Sequence, residues 1–209
     1  MSNKKSVLFT VIFFGAVWGI LEATLGYGLH YLPDFISGSV MFPIGAALMF
    51  WAYRSTQKRS SVFYVALIAA SLKAVNFLMP FTMALKIYDP MIAILLQSVV
   101  VFAAVTFMEK KSLPLQLGTV AASSLAWRTL FIVNQYVNHA ITGFNHGQLA
   151  SVNTLMTFIF LNAIFEILVM LAFYVAYHFA GKKVRVSLKP HWLLSLSTLA
   201  VAIALVVIL

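Results

Sequence analysis

The chain has no cysteine and very little charge. None of its 209 residues is Cys, and only 9% are Asp, Glu, Lys or Arg, whereas a soluble domain carries about 25%. Without cysteine there is no disulfide, no thiolate nucleophile and no Cys-ligated zinc or iron–sulfur site. With so little charge the chain cannot cover its surface with solvated side chains. A water-soluble enzyme, a nucleic-acid-binding domain and a disordered protein are therefore excluded.

What the chain has in abundance is apolar sequence. Hydrophobic residues make up 62% of it, and its mean hydropathy is +0.97. A membrane-spanning helix needs about 20 apolar residues. We therefore predict an all-α fold: one integral membrane domain over residues 1–209, built as a polytopic bundle of about seven spans, six plus a C-terminal one. The predicted spans cover residues 7–31, 36–53, 61–80, 91–108, 113–137, 154–180 and 192–209.

Basic residues are concentrated in alternate loops of this layout. The N-terminal segment and the loops after the second, fourth and sixth spans hold two, three, two and four Lys or Arg residues, whereas the intervening loops hold only Lys86. Lys and Arg accumulate in the cytoplasmic loops of membrane proteins. The pattern predicts a multi-pass protein of the inner (cytoplasmic) membrane, with the N-terminus in the cytoplasm and the C-terminus outside.

Four ionisable side chains remain inside the predicted spans: Glu22, Lys73, Arg128 and Glu166. A charge at the bilayer centre costs about 2.5–3.5 kcal/mol, and such residues usually mark a functional site. At about 1.5 Å per residue, all four lie roughly 18–22 Å from the cytoplasmic ends of their helices and so share one layer.

Other polar side chains extend this layer along the same helix faces. They are Asn76 near Lys73, Asn162 near Glu166, and His30 near Glu22. We predict a polar pocket, open to the exterior, that captures a small polar solute. Arg128 or Lys73 would bind an anionic group, and Glu22 or Glu166 a cationic one. The other interpretation is two interhelical salt bridges that only fix the helix register.

Two further classes of function stay open. The first is an intramembrane enzyme that uses Glu22 and Glu166 as acid and base, and the second is a structural or regulatory subunit with paired buried charges. The enzyme is disfavoured because the neighbouring cations would keep both carboxylates ionised. The sequence also has no Gly-x-Ser-x-Gly motif and no phosphate-binding Gly-rich loop. No catalytic residue and no cofactor is predicted. His139 and His146 lack the spacing of a metal site, so no metal is predicted.

Three segments resemble the substrate-binding S components of energy-coupling factor vitamin transporters, and the similarity of plan covers roughly residues 1–180. The segments are 15–23 (GAVWGILEA), 71–76 (SLKAVN) and 88–97 (YDPMIAILLQ). The resemblance implies uptake of a vitamin or small metabolite by a substrate-binding subunit in the lipid bilayer, with no nucleic-acid partner. It also implies a transmembrane coupling subunit, against which Gly15, Gly19 and Ala23 would pack, and separate cytoplasmic ATPases.

Overall fold

The computed structural model describes residues 3–29, 34–79, 84–109, 111–180 and 190–208 of the chain, and within these ranges it contains helices and no β-strand. The α-helices are α1 Asn3–Leu21, α2 Tyr27–Leu29, α3 Asp34–Thr56, α4 Ser60–Ala74, α5 Ala84–Met108, α6 Leu113–Thr142, α7 Val152–Met156, α8 Asn162–Ala180 and α9 Trp192–Ile208. Two π-helical segments, Glu22–Gly26 and Thr157–Leu161, and two 3₁₀ segments, Val75–Leu78 and Gly147–Leu149, lie between them.

Consecutive segments join into seven helical rods in the described part of the chain, which confirms the all-α prediction. Four rods are long and apolar enough to cross a membrane: Lys4–Gly26, Ser60–Leu78, Ile87–Met108 and Val152–Phe179. The helices α3 and α6 have 23 and 30 residues, and α9 is apolar with 17 residues.

The rods coincide with the predicted spans, with two differences at the same end of the bundle. Helix α5 begins at Ala84 rather than at residue 91, and α6 continues to Thr142 rather than ending at residue 137. The predicted span begins directly after Pro90, which has no N–H to donate to a helix. Pro90 lies instead inside α5, where its missing N–H weakens the helix without ending it. Tyr88 and Asp89 are consequently helical residues and not loop residues.

Four helices form a closed ring in which each contacts the next: α3, α5, α6 and α8. Helices α1 and α4 pack against each other beside this ring, and α9 packs against both. The largest apolar side chains that are fully buried are Trp18, Phe14, Phe42 and Met49. By contrast, α8 exposes large apolar side chains such as Leu168 and Phe179, as expected of a helix that lies against hydrocarbon.

The two ends of the bundle differ in chemistry. We call the end where α3 stops and α4 begins the Arg59 end, and the end where α6 stops and α7 begins the His146 end. At the first, Arg59 donates a hydrogen bond to Glu109 beyond α5, and this bond raises the pKa of the guanidinium above its ordinary value. At the second, Gly143 takes a left-handed conformation (φ 70°) that stops α6 and turns the chain back toward α7.

Candidate functional site

A buried ion pair connects the middle of α6 to α8. Arg128 Nη2 lies 2.7 Å from Glu166 Oε2, and the two side chains are 1% and 0% exposed. The other oxygen of Glu166 accepts hydrogen bonds from Ser124 Oγ and from Trp127 Nε1, the latter at 2.8 Å. Both carboxylate oxygens therefore accept hydrogen bonds from within the protein, two at Oε1 and one at Oε2.

The guanidinium of Arg128 is also surrounded by partners at its two terminal nitrogens, whereas its buried Nε has no hydrogen-bond partner among the described residues. Its Nη2 also donates to Ser39 Oγ on α3 at 2.9 Å, and its Nη1 donates to the carbonyl of Phe158 at 3.1 Å. The rings of Trp127 and Phe158 lie 5.0 and 4.9 Å from the guanidinium carbon, at cation–π distance. Arg128 thus connects α3, α6 and the π-helical segment before α8.

This geometry encloses two of the predicted site residues, Arg128 and Glu166, in the interior. Asn162 is half-buried and contributes its backbone carbonyl, which lies 3.4 Å from Arg128 Nη2. The pocket prediction expected Arg128 and Glu166 to face a solute, but Arg128 Nη2 and Glu166 Oε2 face one another, and the same nitrogen also donates to Ser39. The pair is one of the two interhelical salt bridges of the other interpretation.

The remaining predicted charges lie apart from this pair. Glu22 opens the π-helical segment after α1, and Lys73 is in the last turn of α4. The two interact electrostatically, although no nitrogen–oxygen contact within 4.0 Å joins them in the described structure. Asn76 follows Lys73 by three residues, and its buried Oδ1 has no hydrogen-bond partner. The predicted single layer is therefore divided into two groups, one between α1 and α4 and one among α3, α6 and α8.

The small residues predicted to contact a partner subunit pack within the chain. A Cβ atom on Gly15 would lie 2.7 Å from Ile68 Cβ, and one on Gly19 would lie 2.4 Å from Leu72 Cδ1. Their four-residue spacing thus brings α1 close to α4, and neither glycine is exposed for docking. Ala23 is half-buried against the apolar cluster that α9 covers. His30 lies outside the described residues.

A polar network that the sequence analysis did not predict occupies the His146 end. Asp89 Oδ2 on α5 lies 3.7 Å from His146 Nδ1, and His146 Nε2 lies 2.9 Å from Asn138 Oδ1 on α6. The imidazole is only 4% exposed. His146 therefore connects the start of α5 to the end of α6, although it belongs to the loop between α6 and α7.

Two more hydrogen bonds extend the same network. Tyr88 donates to Asn134 Oδ1 at 3.3 Å, and Gln135 Nε2 donates to Gln148 Oε1 at 3.2 Å. Gln135 is 1% exposed. We call these residues the outer network; its members are Tyr88, Asp89, Asn134, Gln135, Asn138, His146 and Gln148.

Three buried polar atoms of the outer network have no hydrogen-bond partner. They are Asp89 Oδ1, Asn134 Nδ2 and Gln135 Oε1. An unpartnered buried polar group costs about 1–3 kcal/mol, and roughly 90% or more of such groups in proteins are satisfied. Two acceptors and one donor at this end of the bundle are therefore free to hydrogen-bond a water or a ligand.

One sequence signal could have found this site. Asn134 and Asn138 are four residues apart on α6, and Gln135 and Asn138 are three apart, so all three amides share one face of that helix. The sequence does not place Asp89 with these amides, because the predicted span begins at residue 91, whereas α5 begins at Ala84. No three His, Asp or Glu side chains in the described ranges come together as metal ligands.

Comparison of the chain with protein-family models, with curated proteins and with solved structures gives no match, so the similarity to S components stays a prediction from the sequence.

Proposed function

We propose that this chain is a substrate-binding membrane subunit that captures a small polar solute at the outer network. The observation that carries the proposal is the set of three unpartnered buried atoms, Asp89 Oδ1, Asn134 Nδ2 and Gln135 Oε1. A solute with N–H or O–H donors and at least one acceptor satisfies all three. The site differs from the one expected from the sequence, because it uses Asp89 and the α6 amides in place of Arg128 and Glu166.

The predicted orientation of the bundle places the outer network on the side from which a solute arrives. With the N-terminus in the cytoplasm, the Arg59 end faces the cytoplasm and the outer network faces the exterior, from which a solute arrives. The basic loops support this orientation. The protein is then a seven-span component of the bacterial inner membrane. The coupling subunit and ATPases that the resemblance implies would supply the energy, since the chain has no nucleotide-binding motif of its own.

A thermal-shift screen of the detergent-purified protein against vitamins, amino acids and small anions tests the proposal. A ligand present at about one hundred times its Kd stabilises the folded state by about 2.7 kcal/mol, which gives a clear shift. The two variants that matter are Gln135→Met, which keeps the side-chain volume and removes the acceptor, and Asp89→Asn, which removes the charge.

We expect Gln135→Met to weaken binding of the identified ligand by about fivefold, since one neutral hydrogen bond contributes about 1 kcal/mol, and Asp89→Asn by about tenfold or more, since a hydrogen bond to a charged group contributes more. Gln116→Met is the matched control, because Gln116 lies on the same helix at the Arg59 end and bonds to Tyr174. Its affinity should equal that of the wild type. A folded protein that binds nothing in the library, or a ligand indifferent to both outer-network variants, overturns the proposal.

A further inference from the structure

An apolar cavity lies inside the four-helix ring, between the Arg128–Glu166 pair and the Arg59 end. Its volume is about 310 Å³, and its wall comes mainly from α3, α5, α6 and α8. On α6 the wall includes Ser123, the residue before the ion-pair ligand Ser124, and on α8 it includes Met170, one turn beyond Glu166. The cavity therefore lies on the Arg59 side of the ion pair.

The wall offers almost nothing to water. A volume of 310 Å³ would hold about ten waters at about 30 Å³ each, but a water needs two to four polar partners. Ser123 Oγ already donates to the carbonyl of Thr119 at 2.8 Å, and Tyr174 Oη donates to Gln116 at 2.7 Å. The other side chains along the wall are aliphatic or aromatic. Such a space suits a hydrocarbon chain.

The dimensions and the opening fit a chain that enters from the bilayer. The wall on α3 extends from Pro43 to Trp51, about 12 Å at 1.5 Å per residue, and one leaflet contributes about half of the 30 Å hydrocarbon layer. Trp51 and Phe173 belong to the wall and are 41% and 54% exposed. The cavity therefore reaches the surface beside these two side chains.

The basic residue Arg54 lies near this opening. Arg54 follows Trp51 by three residues, so the two share one face of α3, and Arg54 interacts electrostatically with Tyr174 of the wall. Within the described ranges no carboxylate oxygen lies within 4.0 Å of the Arg54 guanidinium, whereas Arg59 at the same end is paired with Glu109. A basic site between helices at the cytoplasmic side is complementary to an anionic lipid headgroup.

We infer that the cavity holds one acyl chain of an anionic phospholipid from the leaflet at the Arg59 end, with the lipid phosphate beside Arg54. This site is separate from the outer network and does not depend on the proposed function. The acyl chain occupies the part of the ring on the Arg59 side of the ion pair, and the headgroup neutralises Arg54, which has no carboxylate partner among the described residues.

Native mass spectrometry of the purified protein, with phosphatidylglycerol and phosphatidylcholine in equal amounts, tests the inference. We expect one retained phosphatidylglycerol per chain. Arg54→Gln should reduce its affinity by about fivefold, the factor that one basic residue near an anionic surface contributes. Arg59→Gln is the matched control, because it removes the same charge at the same end from a residue that is already paired, and it should leave retention unchanged.

A second pair of variants tests the cavity itself. Ala104→Phe and Ala47→Phe fill it from opposite walls, α5 and α3, so that one of them remains informative if the other does not fold. Either variant, when monodisperse, should lose the retained lipid. Retention of phosphatidylglycerol by a folded cavity-filled protein would show that only the headgroup is bound. Equal losses in Arg54→Gln and Arg59→Gln would show general surface attraction. Both results overturn the inference.

Discussion

Arg128 and Glu166 stabilise the bundle only as a pair, because each neutralises the other where water does not reach. Removing one partner of a buried ion pair leaves an uncompensated charge and typically costs about 3–5 kcal/mol, whereas replacing both by apolar residues is often neutral. We therefore expect Arg128→Met or Glu166→Met alone to lower the free energy of unfolding by that amount. The double variant should lose much less. Denaturation by SDS in mixed micelles measures all three.

The control for this experiment is the exposed pair at the Arg59 end. Arg59 and Glu109 are 43% and 44% exposed, so Arg59→Gln should change stability little. A double variant as unstable as the single ones would show that the hydrogen bonds to Ser39 and Trp127, rather than the pairing of charge, hold the three helices together.

Sequence reasoning at this scale identified the unusual residues but not their arrangement. Glu22, Lys73, Arg128 and Glu166 stand out because charge is rare in apolar helices. Which acid faces which base depends on the rotation of each helix about its axis, and one residue changes that rotation by about 100°. The pairing of Arg128 with Glu166 and the isolation of Glu22 from both follow from packing, which hydropathy does not encode.

The contact between α1 and α4 depends on glycine at the level of whole helices. An added Cβ at Gly15 would meet Ile68 Cβ at 2.7 Å and the carbonyl oxygen of Val65 at 3.0 Å, so the helices must separate to admit it. We expect Gly15→Ala to destabilise the protein by about 1–3 kcal/mol. Gly19→Ala should cost less, because its nearest neighbour is the mobile tip of Leu72.

Gly118 on α6 is the matched control for that series. A Cβ at Gly118 meets nothing within 4 Å, so Gly118→Ala should be neutral or stabilise the helix by up to about 1 kcal/mol. Thermal unfolding of the three variants in one detergent measures the order. If Gly15→Ala and Gly118→Ala unfold at the same temperature, close packing of α1 on α4 does not contribute to stability.

Helices were the most predictable elements of this chain. Inside a bilayer, the backbone N–H and C=O groups of an apolar run of about 20 residues find hydrogen-bond partners only within their own helix. Such runs therefore predict helices well, and six of the seven rods begin within a few residues of the predicted starts. The exception is the start of α5, where Tyr88, Asp89 and Pro90 looked like a loop by composition. The outer network could not be predicted for this reason, because Asp89, which contacts His146, belongs to a helix that begins before residue 91.

For the molecule as a whole, the distribution of Lys and Arg makes a topological prediction. Alkaline phosphatase, which is active only outside the cytoplasm, should be inactive when fused after Gln57 and active when fused after Gly147 or after Leu209. Phosphatase activity of the fusion after Gln57 would show that the bundle has the opposite orientation in the membrane. Inactivity after Leu209 alone would show that α9, with its 17 residues, does not cross the membrane, which would leave six spans.

The contact of α9 with α1 has a consequence for how the protein is made. Ser195 Oγ donates to the carbonyl of Phe9 at 2.8 Å, across 186 positions of the chain, and Ala202 buries Ala16 together with Leu72. During synthesis α1 is made before every other helix described and α9 after all of them. The apolar surface of α1 that α9 covers therefore stays without this covering until α9 has been made.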